Sequence, residues 1–305
     1  ASSCTTSDTK LGVSGTPYAV IASYSGDANF TPSASSPQSL TVQQATTTTT
    51  LAVSAASVAY GNEGSITFTP TVTPQFNGTP SGTVTVAAGG TTLCTVALAS
   101  ATSCSAPNAL LAASSTPYQV TASYGGDANF KGSTSSPSKS LTVTPANTTT
   151  TLSISSSTVT YGNEASLSFT ATVTPQFIGT PSGTIHVNAG PTLLCSIALP
   201  ATSCSTTDDP LNASGTAYVI TATYVGDTNF GGSTSPNKAL TVSQATTSTG
   251  LSVSPTSVSV GNETSVVFTA TLSQPFAGTP TGTITVATGS TTLCVITLPT
   301  TNLTC

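Results

Sequence analysis

The chain has 305 residues and a formal charge of −5; four Lys and nine acidic side chains make up 4% of it, against about 25% in an ordinary soluble domain, and Arg, Met and Trp are missing altogether. Four cations cannot furnish the basic footprint that nucleic-acid binding needs, and one His with scattered carboxylates is a thin supply for acid–base catalysis. Hydrophobic residues at 37% with so small a net charge exclude a disordered polyelectrolyte, and no apolar run approaches the roughly 18 residues of a membrane-spanning helix.

Self-similarity sets the organisation. The run Tyr24-Ser25-Gly26-Asp27-Ala28-Asn29-Phe30 returns as Tyr124-Gly125-Gly126-Asp127-Ala128-Asn129-Phe130 and again as Tyr224-Val225-Gly226-Asp227-Thr228-Asn229-Phe230, 100 residues apart each time. Gly61-Asn62-Glu63 recurs at Gly162 and Gly261, and the Gly-Thr-Pro segments at Gly78, Gly179 and Gly278 keep nearly the same period. A period near 100 is too long for a solenoid repeat and suits one complete β-sandwich.

In chain order, residues 1–44 correspond to the C-terminal half of a repeat. Boundaries at Gln44/Ala45, Pro145/Ala146 and Gln244/Ala245 then give two complete repeats, 45–145 and 146–244. Residues 245–305 correspond to the N-terminal part of another. Within 45–145, alternating apolar and hydroxyl residues predict strands near 47–54, 65–74, 82–88, 92–99, 101–106, 117–125 and 139–145, parted by Gly, Pro, Asn and Ser clusters. Ser and Thr supply 113 residues; on an outer face the Thr methyl fits the pleated sheet while its hydroxyl meets water, so a soluble sheet can be almost free of charge. The reading is all-β, a series of tandem two-sheet, Ig-like β-sandwich domains. The expected core of the first complete copy is Leu51, Val53, Ile66, Phe68, Val72, Val84, Val86, Leu93, Leu98, Val120, Tyr124, Phe130, Leu141 and Val143.

The succession Thr-Thr-Thr-Leu, Tyr-Gly-Asn-Glu, Phe-Thr-Pro-Thr-Val-Thr-Pro, Gly-Thr-Pro-Ser-Gly-Thr-Val-Thr-Val, Tyr-Gly-Gly-Asp-Ala-Asn-Phe and Ser-Leu-Thr-Val resembles the bacterial Ig-like repeat family of the group 3 type, along the whole chain. The resemblance implies modules of large prokaryotic surface and secreted proteins, often spacers or stalks. Regularly spaced cysteines depart from that pattern, since many members lack them.

The cysteines fall as Cys94/Cys104, Cys195/Cys204 and Cys294/Cys305, with Cys4 left over. Each pair is placed on the fourth and fifth strands, read as a hairpin whose cross-strand neighbours come close to disulfide reach. A metal site would need four ligands, and no His or third Cys recurs beside the pairs. Disulfides imply an oxidising, extracellular or cell-surface setting. Cys4 aligns with the second member of a pair, so its partner is expected upstream or in a neighbouring chain, and a bond to Cys294 of another subunit is one candidate.

The Gly-Asp-x-Asn-Phe motif reads as a turn, with Gly at positive φ, Asp and Asn bonding local backbone, and Phe in the core; one Asp and one Asn fall short of the 6–8 oxygens that calcium takes. Glu63, Glu164 and Glu263 sit in a turn and are expected to satisfy backbone donors or face solvent. His186, equivalent to Thr85 and Thr285, is expected to point outward from a strand. Sequons at Asn77, Asn147, Asn212, Asn262 and Asn302 are candidate glycosylation sites.

No cofactor, catalytic residue or metal ligand is expected, since every module repeats its turns while few would need a site. The functional expectation is a structural subunit of an extracellular filament or cell-surface stalk made of stacked Ig-like domains. Two readings of the partial repeats 1–44 and 245–305 are open: they are a window on a longer repeat array, or the partners are copies of the chain itself, joined head to tail by completion of split domains; neither involves nucleic acid or membrane insertion. The alternative is an adhesin repeat region binding surface glycans or another surface.

Overall fold

In the computed structural model, residues 2–8, 10–276 and 278–305 are described. They divide into two compact units. The first comprises Ala1–Ala146 with Pro175–Thr180 and Thr228–Phe230; the second comprises Asn147–Thr174, Pro181–Asp227 and Gly231–Cys305.

The first unit contains a complete two-sheet sandwich. Its smaller sheet runs in the order Cys104–Ser105, Thr67–Pro74, Thr47–Val53. The larger runs Ser57–Ala59, Lys139–Thr144, Tyr118–Tyr124, Thr83–Ala88, Thr91–Ala97, with Ser133–Thr134 also paired to Tyr118–Tyr124. All pairings within it are antiparallel except Ser57–Ala59 against Lys139–Thr144, where Val58 faces Val143. That three-residue strand and Ser133–Thr134 are too short to show alternation in the sequence, and the strand predicted over 101–106 narrows to Cys104–Ser105.

The two inner faces meet over a core that includes Phe68, Val84, Val86, Val120 and Ala122, all fully buried. Val53, Val72 and Leu98, expected in the core, pack partly buried at its margin. Val58, Val96, Leu111 and Ala113 join the core without having been expected there. Thr is not confined to the outer face. Thr49 is 2% exposed and its hydroxyl meets the Ser133 hydroxyl at 2.7 Å, a link from the small sheet to the short strand of the large one. The inward hydroxyl is tolerated because it has a partner. Tyr118 closes a tyrosine corner, its hydroxyl donating to the Ala112 carbonyl at 2.9 Å. The first unit also holds the pairs Tyr18–Val20 with Gln38–Leu40 and Ser23–Tyr24 with Ser33–Ala34, in the register that Tyr118 and Leu141 keep in the sandwich.

The second unit repeats this plan. Thr148–Ile154, Ser168–Pro175 and Ser203–Ser205 form the small sheet; Thr158–Thr160, Lys238–Ser243, Tyr218–Tyr224, Thr184–Ala189 and Thr192–Ala198 form the large one. Phe169, Ile185, Ile220 and Leu240 are fully buried, and Tyr218 makes the same corner to the Asn212 carbonyl at 2.9 Å. The unit also carries two hairpins, Ser248–Ser254 with Val267–Ser273 and Gly282–Thr288 with Thr291–Leu298. Leu251 there is 56% exposed, whereas its equivalent Leu152 is 6% exposed.

Phe169 has no exposed surface and sits opposite Cys204 in the ladder. Phe169→Ala is expected to cost about 3–5 kcal/mol, read as a shifted urea midpoint for the second domain with an unchanged slope.

Candidate functional site: the repeat junctions

The recurring Gly-Asp-x-Asn-Phe segment forms a turn in which Asp and Asn have separate jobs. Gly126 takes φ 84°, and a Cβ there would meet the Phe130 carbonyl oxygen and the Gly132 nitrogen at 2.8 Å. One Asp127 oxygen accepts the amides of Asn129 and Phe130, both at 2.8 Å. The other accepts the Ser81 amide at 2.7 Å and the Ser81 hydroxyl at 2.8 Å. Asp227 holds Ser182 in the same way, at 2.8 and 2.7 Å. Asp27 caps the Asn29 and Phe30 amides at 2.7 and 3.0 Å, and Tyr24 donates to its other oxygen. Burial works to raise the Asp127 pKa, but the Ser81 and Asn129 amides, the Ser81 hydroxyl and the Phe130 amide outweigh it and hold it at about 2. Tyr124, buried beside this carboxylate, is pushed up to about 12.

The sequence predicts that Asn bonds local backbone, but the Asn129 and Asn229 carboxamides accept distant amides instead. Inside the first unit, Asn129 Oδ1 accepts the Val13 amide at 3.1 Å, and Asn229 Oδ1 accepts the Ala113 amide at 2.9 Å. Each carboxamide therefore reaches 116 residues back along the chain to the preceding repeat. A backbone amide is indifferent to side-chain identity, so the clamp works at Val13 and at Ala113 alike.

Aromatic packing completes the junction. The Tyr60 and Phe230 rings, both in the first unit, meet edge to face at 5.4 Å and 88°. Gly179, at φ 140°, lies against both; a Cβ there would come within 2.6 Å of the Phe230 ring and 3.2 Å of the Tyr60 ring. In the second unit Tyr161 lies on Gly278, 2.7 Å from where its Cβ would be. The sequence held a signal for these residues: Tyr60 and Tyr161 precede the recurring Gly-Asn-Glu, and the Gly-Thr-Pro loops keep nearly the same spacing, although neither is needed to form a strand.

The other candidate residues resolve into structural roles. Glu63 and Glu164 are 1% and 0% exposed. Glu63 accepts the Ala109 amide at 2.7 Å, and Glu164 accepts those of Gly162 and Asp209 at 2.9 and 3.0 Å. Ala109 and Asp209 hold positive φ values of 58° and 66°, so each buried carboxylate anchors a left-handed turn. Glu263 is exposed and accepts the Gly261 amide, which lowers its pKa. His186 faces Ser196 on the neighbouring strand, its Nδ1 3.0 Å from the hydroxyl. Among the described residues no group of three or more His, Cys, Asp or Glu is arranged to hold a metal.

The cysteine pairs are joined as Cys94–Cys104, Cys195–Cys204 and Cys294–Cys305, with Cα atoms 6.0, 6.1 and 6.1 Å apart. They are not cross-strand neighbours in a hairpin. Cys94 lies on an edge strand of the large sheet and Cys104 on an edge strand of the small one, so the bond staples the two sheets together. Closing a loop of this length stabilises by roughly 2–3 kcal/mol. Cys294 is occupied by Cys305, which leaves Cys4 exposed as a free thiol. Asn77, Asn147, Asn212, Asn262 and Asn302 are all exposed; Asn77 donates to Asp8 at 2.8 Å.

Two facing sheets, a tyrosine corner and repeated Gly-Asp-x-Asn-Phe turns define tandem Ig-like β-sandwich modules. The model of the bacterial Ig-like domain (group 3) matches residues 49–144 and 152–243, well over half of the chain, and the chain belongs to that family. No curated protein matches it. Among solved structures, one described as Clostridium thermocellum CbhA fibronectin(III)-like modules is similar at 17% identity over 64% of this chain and 94% of that one, with a TM-score of 0.27. Ig-like domains are typically non-catalytic. The disulfides and Ig-like domains suggest an extracellular protein, and among the described residues no helix is long and apolar enough to cross a membrane.

Asp127 is held below its ordinary 3.8 in the folded state, so its contribution is present above pH ~4 and is lost as pH falls toward about 2. Asp127→Asn is expected to cost about 1–2 kcal/mol at neutral pH and to flatten the fall in thermal stability between pH ~4 and ~2, measured by calorimetry. Thiol titration of the unreduced chain is expected to find one reactive group, Cys4; a dimer that reductant dissolves would instead mean that Cys4 pairs between chains.

Proposed function

We propose that this chain is a structural segment of an extracellular filament or cell-surface stalk, built from stacked Ig-like modules that associate head to tail. The observation that carries this reading is the paired junction contact inside the first unit, where Asn229 takes the Ala113 amide while Phe230 meets Tyr60. Modules strung on a slack tether need no such contacts.

Complementary surfaces support the head-to-tail part. Residues 18–40 expose Val20, Tyr24, Phe30 and Leu40, at 46%, 44%, 68% and 43%; their equivalents Val120, Tyr124, Phe130 and Leu141 are buried in the complete sandwich. Residues 251–267 expose Leu251, Val253 and Val267. The strand Gly282–Thr288 pairs with Thr291–Leu298 on one side, and its equivalent Thr184–Ala189 pairs with Tyr218–Tyr224 on the other. Strands 18–24 of a second copy would suit the second edge of Gly282–Thr288, with Tyr24 opposite Ile284 and Val20 opposite Thr288, the register that Tyr224 and Ile220 keep against Ile185 and Ala189.

The test is electron microscopy of unreduced protein across a dilution series. Regular filaments of stacked modules are the expected result. Discrete particles at every concentration would overturn the head-to-tail part. Retention on immobilised glycans by particles that never associate would favour the adhesin reading.

A further inference from the structure

The shortest path for tension through a complete repeat crosses one small ladder. In the first unit the chain enters the sandwich at Ala45, runs through Thr47–Val53 into Ser57–Ala59, and leaves through Lys139–Thr144. Ser57–Ala59 lies parallel to the end of that last strand, with Ser57 opposite Thr142 and Ala59 opposite Thr144. The Thr142 amide donates to the Ala56 carbonyl at 2.9 Å and the Tyr60 amide to the Thr144 carbonyl at 2.8 Å, so the ladder is bonded at both ends. Val58 and Val143, 8% and 0% exposed, seat it on the core. Tension pulls the first strand from its N-terminal side and the last from its C-terminal side. Parallel strands loaded in this way slide past each other, and their bonds must break together rather than one by one. The second unit repeats the ladder, with the Thr241 amide on the Ser157 carbonyl and the Tyr161 amide on the Ser243 carbonyl, both at 2.9 Å.

Tyr60 also belongs to the repeat junction. Its backbone closes the ladder while its ring meets Phe230. Asn229 holds the Ala113 amide, and the next residue, Ser114, donates to the Val143 carbonyl at 2.9 Å. Both contacts from the following repeat therefore land beside the last strand. The Ala146 amide donates to the Asn229 carbonyl at 2.8 Å, so Pro145 alone separates the bonded Thr144 from the turn that carries Asn229 and Phe230.

We propose that the parallel ladder is the force-bearing element of each module and that the repeat junction shields it. The inference rests on the stalk reading and names the part of a module that resists tension. With the junction closed, a pull from the following repeat is shared among Pro145, Tyr60 and Ala113. Tyr60 and Thr144 then move together, and the ladder between them feels little sliding. Once Phe230 leaves Tyr60 and Asn229 leaves Ala113, the whole pull passes through Pro145 and shears the ladder. The junction yields first, and the domain opens only afterwards.

The test holds the full, unreduced chain between terminal handles at constant force and reads the lifetimes of the two complete domains. Unfolding rates in denaturant give the force-free reference. Val58→Ala weakens the ladder, and Tyr60→Ala with Asn229→Ala opens the junction. Val96→Ala, fully buried on the edge strand Thr91–Ala97 and off the path, is the control. Val159→Ala repeats the ladder test in the second domain. Circular dichroism checks that each variant folds. The control is expected to shorten the lifetime by the same factor with and without force. The ladder and junction variants are expected to shorten it about tenfold more under force than without. No such excess in the ladder variants overturns the proposal. No excess in the junction variant overturns the shielding. Both results are read on single chains and leave the stalk reading standing, which the microscopy of filaments tests separately.

Discussion

One carboxylate organises each junction. In the complete sandwich, Asp127 spends one oxygen on the amides of Asn129 and Phe130 and the other on Ser81, which ties the turn to the Gly-Thr-Pro loop of its own domain. With the turn locked, Asn129 points its carboxamide at the Val13 amide and Phe130 lies over Gly78. Without that lock both side chains would hang from a loose loop, and the clamp would carry the entropy cost of ordering it. The motif thus performs two tasks. Asp and Gly shape the turn within a domain, while Asn and Phe use that shape to reach beyond it.

The rest of the chain follows from an almost charge-free composition. Ion pairs are not available in number, so polar links are made by hydroxyls and backbone groups. Thr49 and Thr150 cross between sheets to Ser133 and Ser233 at 2.7 Å, and Ser135 and Ser235 accept the Ala122 and Ala222 amides from buried positions. Neutral hydrogen bonds of this kind depend little on salt, unlike exposed ion pairs. The disulfides add a covalent staple where the sheets have only edge strands to hold them, at Cys94–Cys104 and Cys195–Cys204. These devices suit a protein outside the cell, where thiols stay oxidised.

Repetition also explains why the buried carboxylates are not catalytic candidates. Glu63 and Glu164 are sequestered and spent on the amides of left-handed residues in matching turns. A group that anchors the same turn in successive copies is part of the scaffold. Variation between copies falls instead on positions outside the core such as His186, half-buried beside Ser196, where its equivalents are Thr.

Period, fold class and most of the core were legible in the sequence, because two-residue alternation reports which face of a strand is buried, and a recurrence near 100 residues reports a whole domain. The cysteine pairs were legible from their spacing, but their role was not: whether strands four and five share a sheet depends on which partner each finds, and Cys104–Ser105 pairs with Thr67–Pro74 instead. Likewise the sequence marked Asn129 and Asn229 as recurring without showing that their side chains bond amides 116 residues away. Local turn chemistry is written in neighbouring residues. The aim of a capped side chain is set by the three-dimensional approach of a preceding repeat, and only the tertiary structure decides that.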